Sequence, residues 1–94
     1  MIYEWDPAKA AANERNHGVS FDEAKTVYLD PLAETFDDPD HSQDERRSIT
    51  IGMSTQQRLL FVAHADTGGD RIRIISARTA TRGETNAYQE RNAK

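Results

Sequence analysis

The sequence predicts an α+β fold in which two N-terminal helices and one C-terminal helix flank a three- to four-stranded antiparallel sheet. Three observations support this prediction. Helix-capping signals open three segments, the apolar residues change from helical spacing to alternation after Pro31, and only short polar turns separate the alternating segments. Short connections join strands as antiparallel hairpins, so the strands should pair in sequence order. We expect the 94 residues to form a single domain spanning 1–94.

The first helix is predicted from about Pro7 to about His17. Asp6 provides an N-cap, proline at the first helical position costs no hydrogen bond, and the segment is rich in alanine. Gly18 follows, where a left-handed residue commonly ends a helix.

The second helix is predicted from Ser20, which forms a capping-box pattern with Glu23. Its apolar residues recur at helical spacing, and Asp30-Pro31 ends it because a residue before proline avoids the α region. The strands follow as LAETF, RRSITIGM, RLLFVAHAD and RIRIISAR, with a polar loop, DDPDHSQDE, after the first. Thr81 and Glu84 then repeat the capping-box spacing and predict the C-terminal helix.

Composition excludes several classes of protein. The chain has no cysteine, so it has neither disulfides nor a thiolate nucleophile or ligand. Its N-terminus lacks the features of a signal peptide, and no apolar run approaches the ~20 residues of a membrane span, so we expect a cytoplasmic protein that does not enter membranes. No metal-binding spacing of histidines occurs, and we expect no metal site and no cofactor.

The net charge of −4 conceals a strong asymmetry along the chain. Residues 1–45 contain three basic and twelve acidic side chains, whereas residues 46–94 contain nine basic and four acidic ones. One interpretation is that the basic half forms a face that binds a polyanion. The other is that the two halves neutralise each other across the fold.

Two phrases, HGVSF at 17–21 and IRIISAR at 72–78, carry a resemblance to a known family. Together with EWDPAK, RRSITIG and the final helix, they resemble the BrnT toxins of type II toxin–antitoxin modules, from about Tyr3 to Tyr88. The resemblance implies a RelE-like fold and an endoribonuclease activity that inhibits translation. It also implies a BrnA-type ribbon-helix-helix antitoxin as partner in a hetero-oligomer, which contacts operator DNA only through the antitoxin.

Cleavage of RNA through its 2′-hydroxyl requires a base, an acid and cationic donors for the phosphorane, which predicts four catalytic candidates. Arg73 and Arg78 suit phosphate because guanidinium groups bind its oxygens in pairs. The alternative is that they form salt bridges with acids of the N-terminal half. Glu84 and Tyr88 are four residues apart on one helix face. Their alternative roles are the capping box for Glu84 and packing against the sheet for Tyr88.

Alternation in RIRIISAR places Arg71 and Arg73 on one face of the strand, with Ile72 and Ile74 on the other. The adjacent pair of isoleucines at 74 and 75 breaks this alternation. Either both faces are covered there, or a β-bulge resets the register before Arg78.

Three further residues are predicted to bind RNA: Arg71 beside Arg73, Lys9, which matches the WD-x-x-K pattern of the family, and His17. His17 has an alternative role as a cation at the negative end of its helix. His64 is either an acid–base group on the sheet surface or a half-buried histidine with its hydrogen bonds satisfied. His41, in the polar loop, is expected to be solvated.

Two positions depart from the pattern of the family. Asn16 stands where a basic residue is usual before the His-Gly pair, and Thr67 stands near a usual arginine before the last strand. Both changes remove positive charge. They suggest an alternative function, in which a catalytically weak or inactive toxin fold serves as antitoxin partner and transcriptional co-repressor.

Overall fold

The computed structural model describes residues 1–38 and 46–92. The helices are α1 (Pro7–His17), α2 (Phe21–Ala24), which continues as the 3-10 helix Lys25–Leu29, and α3 (Arg82–Arg91). The strands are β1 (Ile2–Glu4), β2 (Glu34–Asp37), β3 (Arg47–Met53), β4 (Leu59–Gly68) and β5 (Arg71–Thr79). Within the described residues, no helix is long and apolar enough to cross a membrane. Most of the predicted polar loop, including His41, lies outside the described residues.

The five strands form one mixed sheet in the order β1-β5-β4-β3-β2. The three hairpin pairings are antiparallel as predicted, but β1 pairs in parallel with β5, which places Tyr3 opposite Ile72. The α+β class is therefore confirmed, whereas the prediction of a purely antiparallel sheet of three to four strands was wrong. The strand β1 has three residues, which is too short to show alternation, and its partner lies far along the chain. For this reason no local pattern in the sequence predicted β1.

A β-bulge at Ile75 explains the irregular alternation of β5. Ala63 of β4 pairs with Ser76 and His64 pairs with Ile74, so Ile75 is the extra residue. This confirms one of the two alternatives left open by the sequence. Because the bulge absorbs one residue, Arg73 and Arg78 emerge on the same face of the sheet although their spacing in the chain is odd.

The core lies between the sheet and the layer formed by α1, α2 and the 3-10 helix. Its central members are fully or almost fully buried: Val19, Phe21, Ala24, Val27, Leu60, Val62, Ile74 and Ala77. Trp5 is partly buried and packs edge-on against Phe21. At Gly52 the two layers approach so closely that a Cβ would lie 2.8 Å from the Cβ of Ala33, which leaves room only for glycine.

Local capping signals determine the helix ends. Asp6 accepts hydrogen bonds at the start of α1, and Gly18 ends it with a φ of 69°, as the sequence predicts. Ser20 caps α2 through the amide of Glu23. The second half of that capping box was predicted wrongly, because the Glu23 carboxylate does not reach back. It is 4% exposed and binds Ser54 and Arg58 instead, across the β3–β4 connection.

Asn13 joins α1 to the sheet through its carboxamide. The side chain is 7% exposed; it accepts a hydrogen bond from the amide of Ala77 at 3.0 Å and donates to the carbonyl of Ala77 at 2.8 Å. It also donates to the carbonyl of Val19 at 2.9 Å. Since β1 pairs only with Arg71–Arg73, this carboxamide occupies the edge of β5 where a neighbouring strand would otherwise pair.

We predict that Asn13→Ala lowers the free energy of unfolding by about 2–4 kcal/mol, because it leaves buried backbone groups of β5 without partners. Asn13→Asp, which keeps the shape but cannot donate, should be at least as harmful. Asn16→Ala, exposed on the same helix, is the control and should change stability by less than about 0.5 kcal/mol. Denaturant unfolding of the three variants measures this, and equal stabilities for Asn13→Ala and Asn16→Ala would contradict the structural role.

Candidate functional site

The sheet face that α1 and α2 leave uncovered, here called the open face, carries arginines at both ends. Its first cross-strand row is Arg47–Ala65–Arg73, from β3 through β4 to β5. Ala65 is completely buried in the middle of this row, between the two long side chains. Because neighbouring strands lie about 4.8 Å apart, the backbones that carry the two arginines are roughly 10 Å apart.

The side chains in the middle of the open face are largely apolar. A shallow pocket of about 320 Å³ is lined there by Arg47, Phe61, Ser76 and neighbouring residues, including Ile49, Ala63 and Asp38. The Ser76 hydroxyl and the Arg47 guanidinium are its hydrogen-bond donors. The pocket is therefore a shallow, largely apolar floor that carries polar groups of Asp38, Arg47 and Ser76.

Arg78 lies at the far end of the open face and is held from two sides. Its guanidinium stacks 3.9 Å from the centre of the Phe61 ring. It also donates two hydrogen bonds, of 2.9 and 3.0 Å, to the Glu84 carboxylate. Arg78 lowers the pKa of Glu84, so this carboxylate is ionised at neutral pH.

Glu84 serves the helix as well as the arginine. Its carboxylate accepts from the Thr81 amide at 2.8 Å, and its own amide donates to the Thr81 hydroxyl at 3.2 Å. The predicted capping box is thus complete. Arg78 and Glu84, two of the four catalytic candidates, are brought together as one ion pair.

Tyr88, the fourth candidate, forms a hydrogen bond outside that pair. Its hydroxyl donates to Asp30 Oδ2 at 2.7 Å, and the side chain is buried against the end of the 3-10 helix. Burial raises the pKa of Tyr88 to about 12, so the hydroxyl stays protonated at neutral pH. Together with an ion pair between Arg91 and Glu34, this contact holds α3 across the end of the sheet.

Two predicted RNA-binding residues lie beside the arginine row, and one does not. Lys9 and Arg73 line the same groove of about 230 Å³, with Asp6, where β1 ends and leaves the edge of β5 open. Arg71 is exposed and paired with Glu4 at 3.1 Å. His17 is eight residues beyond Lys9 on α1, and therefore about 12 Å farther along the helix axis.

His64 points into the helix-covered face, not onto the open face. Its Nδ1 lies 2.7 Å from the Tyr28 hydroxyl, and the side chain is 5% exposed. Burial lowers the pKa of His64, which keeps the ring neutral. Of the two alternatives for this residue, the histidine with a satisfied hydrogen bond describes what the structure shows.

The ion pairs explain how an acidic chain carries an arginine-rich face. Several of those among the described residues join an arginine of the basic half to an acid of the acidic half: Arg46–Asp37, Arg58–Glu23, Arg71–Glu4 and Arg91–Glu34. The two halves do neutralise each other, as one interpretation of the charge asymmetry held. The other interpretation, a basic face that binds a polyanion, stays a prediction.

The sequence interpretation missed Arg47. Only the register of β3 on β4 and of β4 on β5 aligns it with Arg73. The two departures from the family pattern are both exposed, and the Thr67 hydroxyl donates to the carbonyl of Arg71 at 3.3 Å. In the part of the chain that the structure describes, no three His, Asp or Glu side chains form a metal-binding group.

The open face thus carries arginines at both ends, and a comparison with known protein families identifies the family of the chain. Residues 5–84 match the family described as ribonuclease toxin, BrnT, of type II toxin–antitoxin systems. The chain belongs to this family, so the suspected relationship is confirmed. Membership implies a ribonuclease toxin with an antitoxin partner.

A solved structure supports the same fold. The chain is similar to the ribonuclease toxin BrnT of Brucella abortus, whose structure is known at 1.1 Å resolution, with a TM-score of 0.66 and 21% identity. The match covers 87% of this chain and 100% of that one. No curated protein shows significant sequence similarity to the chain.

We predict that Glu84→Gln lowers the free energy of unfolding by about 1 kcal/mol at neutral pH, because it removes the charge that pairs with Arg78. The folded-state pKa of Glu84 lies below its ordinary value of 4.5, so this stabilisation is present above that value and is lost as the pH falls through the folded pKa. The free energies of unfolding of the wild type and Glu84→Gln should therefore differ at neutral pH and converge as the pH falls through the folded pKa of Glu84.

Glu90→Gln, an exposed change on the same helix, is the matched control and should have no comparable effect. A Glu84→Gln difference that persists undiminished in acid would show that shape, not charge, is what the carboxylate contributes.

Proposed function

We propose that this protein is a metal-independent endoribonuclease that cleaves RNA and so inhibits translation, with the open face as its active site. The observation that carries the proposal is the row Arg47–Ala65–Arg73, which presents two guanidinium groups on either side of a buried alanine. Paired guanidinium groups bind phosphate oxygens well, and small residues between them let the backbone of RNA approach the sheet.

The chemistry assigned to this face is transesterification. The 2′-oxygen attacks the adjacent phosphorus, its proton passes to a base, and the 5′-oxygen leaves with a proton from an acid. We assign Arg73, with Arg47, to phosphate binding and Arg78 to stabilisation of the charge that develops on the phosphorane. Glu84 is the ionised base candidate because its carboxylate lies directly beside Arg78.

The remaining candidates have roles around this centre. Tyr88 is protonated and could donate to the leaving oxygen, for which its hydroxyl must exchange Asp30 for RNA. Lys9 and Arg71 guide RNA along the β5 edge, since Lys9 shares a groove with Arg73 and Arg71 is exposed beside it. His17 contacts only an RNA long enough to follow α1.

The same proposal includes the biological setting. The fold is taken as RelE-like, and the site of action as the cytoplasm, where translated RNA is found. The partner is taken as a BrnA-type ribbon-helix-helix antitoxin, which forms a hetero-oligomer with the toxin and alone contacts operator DNA. Family membership supports an antitoxin as partner.

A second candidate function rests on a specific observation. Arg78 is engaged by Glu84 and Phe61, and Tyr88 is engaged by Asp30, so two predicted catalytic groups already have internal partners. A toxin fold whose catalytic groups are occupied in this way would act as antitoxin partner and co-repressor without cleaving RNA. Expression without antitoxin separates the two functions, because only the ribonuclease arrests growth.

We predict that Arg73→Ala and Arg47→Ala each reduce RNA cleavage by about ten- to a hundredfold, since a charge-assisted phosphate contact contributes roughly 1.5–3 kcal/mol. Cleavage of a labelled RNA by the purified protein measures this. Arg15→Ala is the control: it removes an exposed arginine from α1, on the other side of the sheet, and should leave the rate unchanged. Equal rates for all variants, or no cleavage by the wild type, would overturn the ribonuclease assignment.

We also predict that the antitoxin neutralises the toxin by covering Arg71, Arg73 and Arg78. Acidic groups of the antitoxin would then speed the encounter, so the association rate should fall as salt rises, because exposed charges are screened beyond about 8–10 Å at physiological ionic strength. A salt series of association rates for wild type and Arg73→Ala measures this. Rates that respond to neither salt nor the substitution would show that the antitoxin docks elsewhere.

A further inference from the structure

A second concave site lies on the opposite side of the sheet from the arginine row. It is a cleft of about 650 Å³ at the point where the helical layer ends and leaves the inner face of β2, β3 and β4 accessible. This volume is typical of sites that bind small organic molecules. None of the roles assigned to the open face uses it.

One wall of the cleft is aromatic. Tyr3 and Tyr28 are stacked, with ring centres 5.3 Å apart and planes inclined by 27°, and both line the cleft. Phe36 of β2 pairs with Ile49, so its ring lies on the open face and only its backbone borders the cleft. Flat rings in this arrangement bind other flat rings by stacking.

A buried histidine, His64, lies at the floor of the cleft, and one of its two ring nitrogens forms no hydrogen bond within the described residues. The pKa of Tyr28 is raised by burial, so its hydroxyl is protonated, and we assign it as the donor to His64 Nδ1. The neutral imidazole then carries its proton on Nε2. This N–H has no hydrogen-bond partner among residues 1–38 and 46–92 and is available to a ligand in the cleft.

The charged side chains at the mouth of the cleft are two hydrogen-bond acceptors, Asp37 and Asp66, and one donor, Arg46. Arg46 and Asp66 are adjacent, since the Asp66 amide donates to the Arg46 carbonyl at 3.0 Å. Asp37 is already paired with Arg46 at 3.4 Å. Asp66 is exposed and forms no ion pair within the described residues, so both of its carboxylate oxygens can accept hydrogen bonds.

We propose that this cleft binds a guanine base. Guanine presents two parallel N–H donors on its pairing edge, which match the two oxygens of Asp66, and next to them acceptors that suit Arg46 and the Nε2–H of His64. Its flat face stacks on the tyrosine wall, the way unpaired RNA bases are commonly held. No other RNA base offers two adjacent N–H donors to one carboxylate.

The charges of the cleft favour a neutral base over phosphate as the occupant. Its ionisable groups are Asp37, Asp66, Arg46 and the α-amino group of Met1, so two carboxylates balance two cations. The cleft therefore has no net positive charge that would attract a phosphate, and a neutral base enters it without an electrostatic penalty. In this proposal one side of the sheet suits phosphates and the other a base.

The connection to RNA rests on the proposed function, but base binding can be tested without cleavage. The uncleavable probe is guanosine, compared with adenosine and with inorganic phosphate. Binding is followed by NMR through the ring signals of His64 and Tyr28. We expect saturable shifts with guanosine, binding at least about tenfold weaker for adenosine, and none with phosphate.

Two pairs of variants test the assigned contacts. Asp66→Asn should weaken guanosine binding about tenfold, because an amide replaces one acceptor by a donor, whereas Glu14→Gln, an exposed loss of acidic charge on α1, should not. Tyr3→Leu should weaken binding by a similar factor and Tyr3→Phe should restore it, since stacking needs the ring and not the hydroxyl.

Three outcomes would overturn the proposal: no saturable shift with guanosine, equal binding of adenosine, or shifts with phosphate alone. Perturbation of the same signals only by an antitoxin would identify the cleft as a protein-docking surface and would overturn it too. A protein that cleaves RNA but ignores guanosine refutes this inference alone. One that binds guanosine but does not cleave RNA refutes only the ribonuclease assignment.

Discussion

The Asn13 carboxamide is the contact on which the geometry of the open face depends. The parallel strand β1 covers only the first part of β5, and Ala77 would otherwise present an amide and a carbonyl to an unoccupied edge. By bonding both groups, Asn13 fixes α1 against the strand two residues after the bulge at Ile75. The bulge in turn brings Arg73 and Arg78 to one face. A single buried side chain on the helical layer thus supports the register that aligns the charges on the opposite side.

Charge in the protein is balanced by ion pairs between segments that are distant in the chain. Anions of the N-terminal half, such as Glu4 and Glu23, engage arginines outside or at the margin of the arginine row. Arg78 instead takes its anion from α3, within the basic half. The overall acidity of the chain therefore says little about the local potential over the sheet, because that potential depends on which pairs the fold forms. An acidic isoelectric point is therefore compatible with an arginine-rich sheet face.

Patterns among neighbouring residues predicted much of this architecture. Contacts between residues that are distant in the chain were not predicted. Only neighbouring residues determine the helix caps at Asp6 and Thr81 and the alternation in β3 to β5. The structure confirms these predictions. The parallel pairing of β1, the partners of Glu23 and the alignment of Arg47 with Arg73 depend on residues distant in the chain. For the same reason, the meeting of Tyr28 and His64 in one cleft could not be predicted from neighbouring residues.

The pairing of β1 with β5 has a consequence for the order of assembly. Ile2 must find Arg71, so the sheet closes a loop of about 70 residues, whereas β3, β4 and β5 can pair as local hairpins. Pairing across so long a loop costs more chain entropy than a local hairpin. During synthesis, the N-terminal strand and helix have no β5 to pack against until that strand leaves the ribosome. The edge that places Lys9 beside Arg73 is therefore completed only at a late stage of folding.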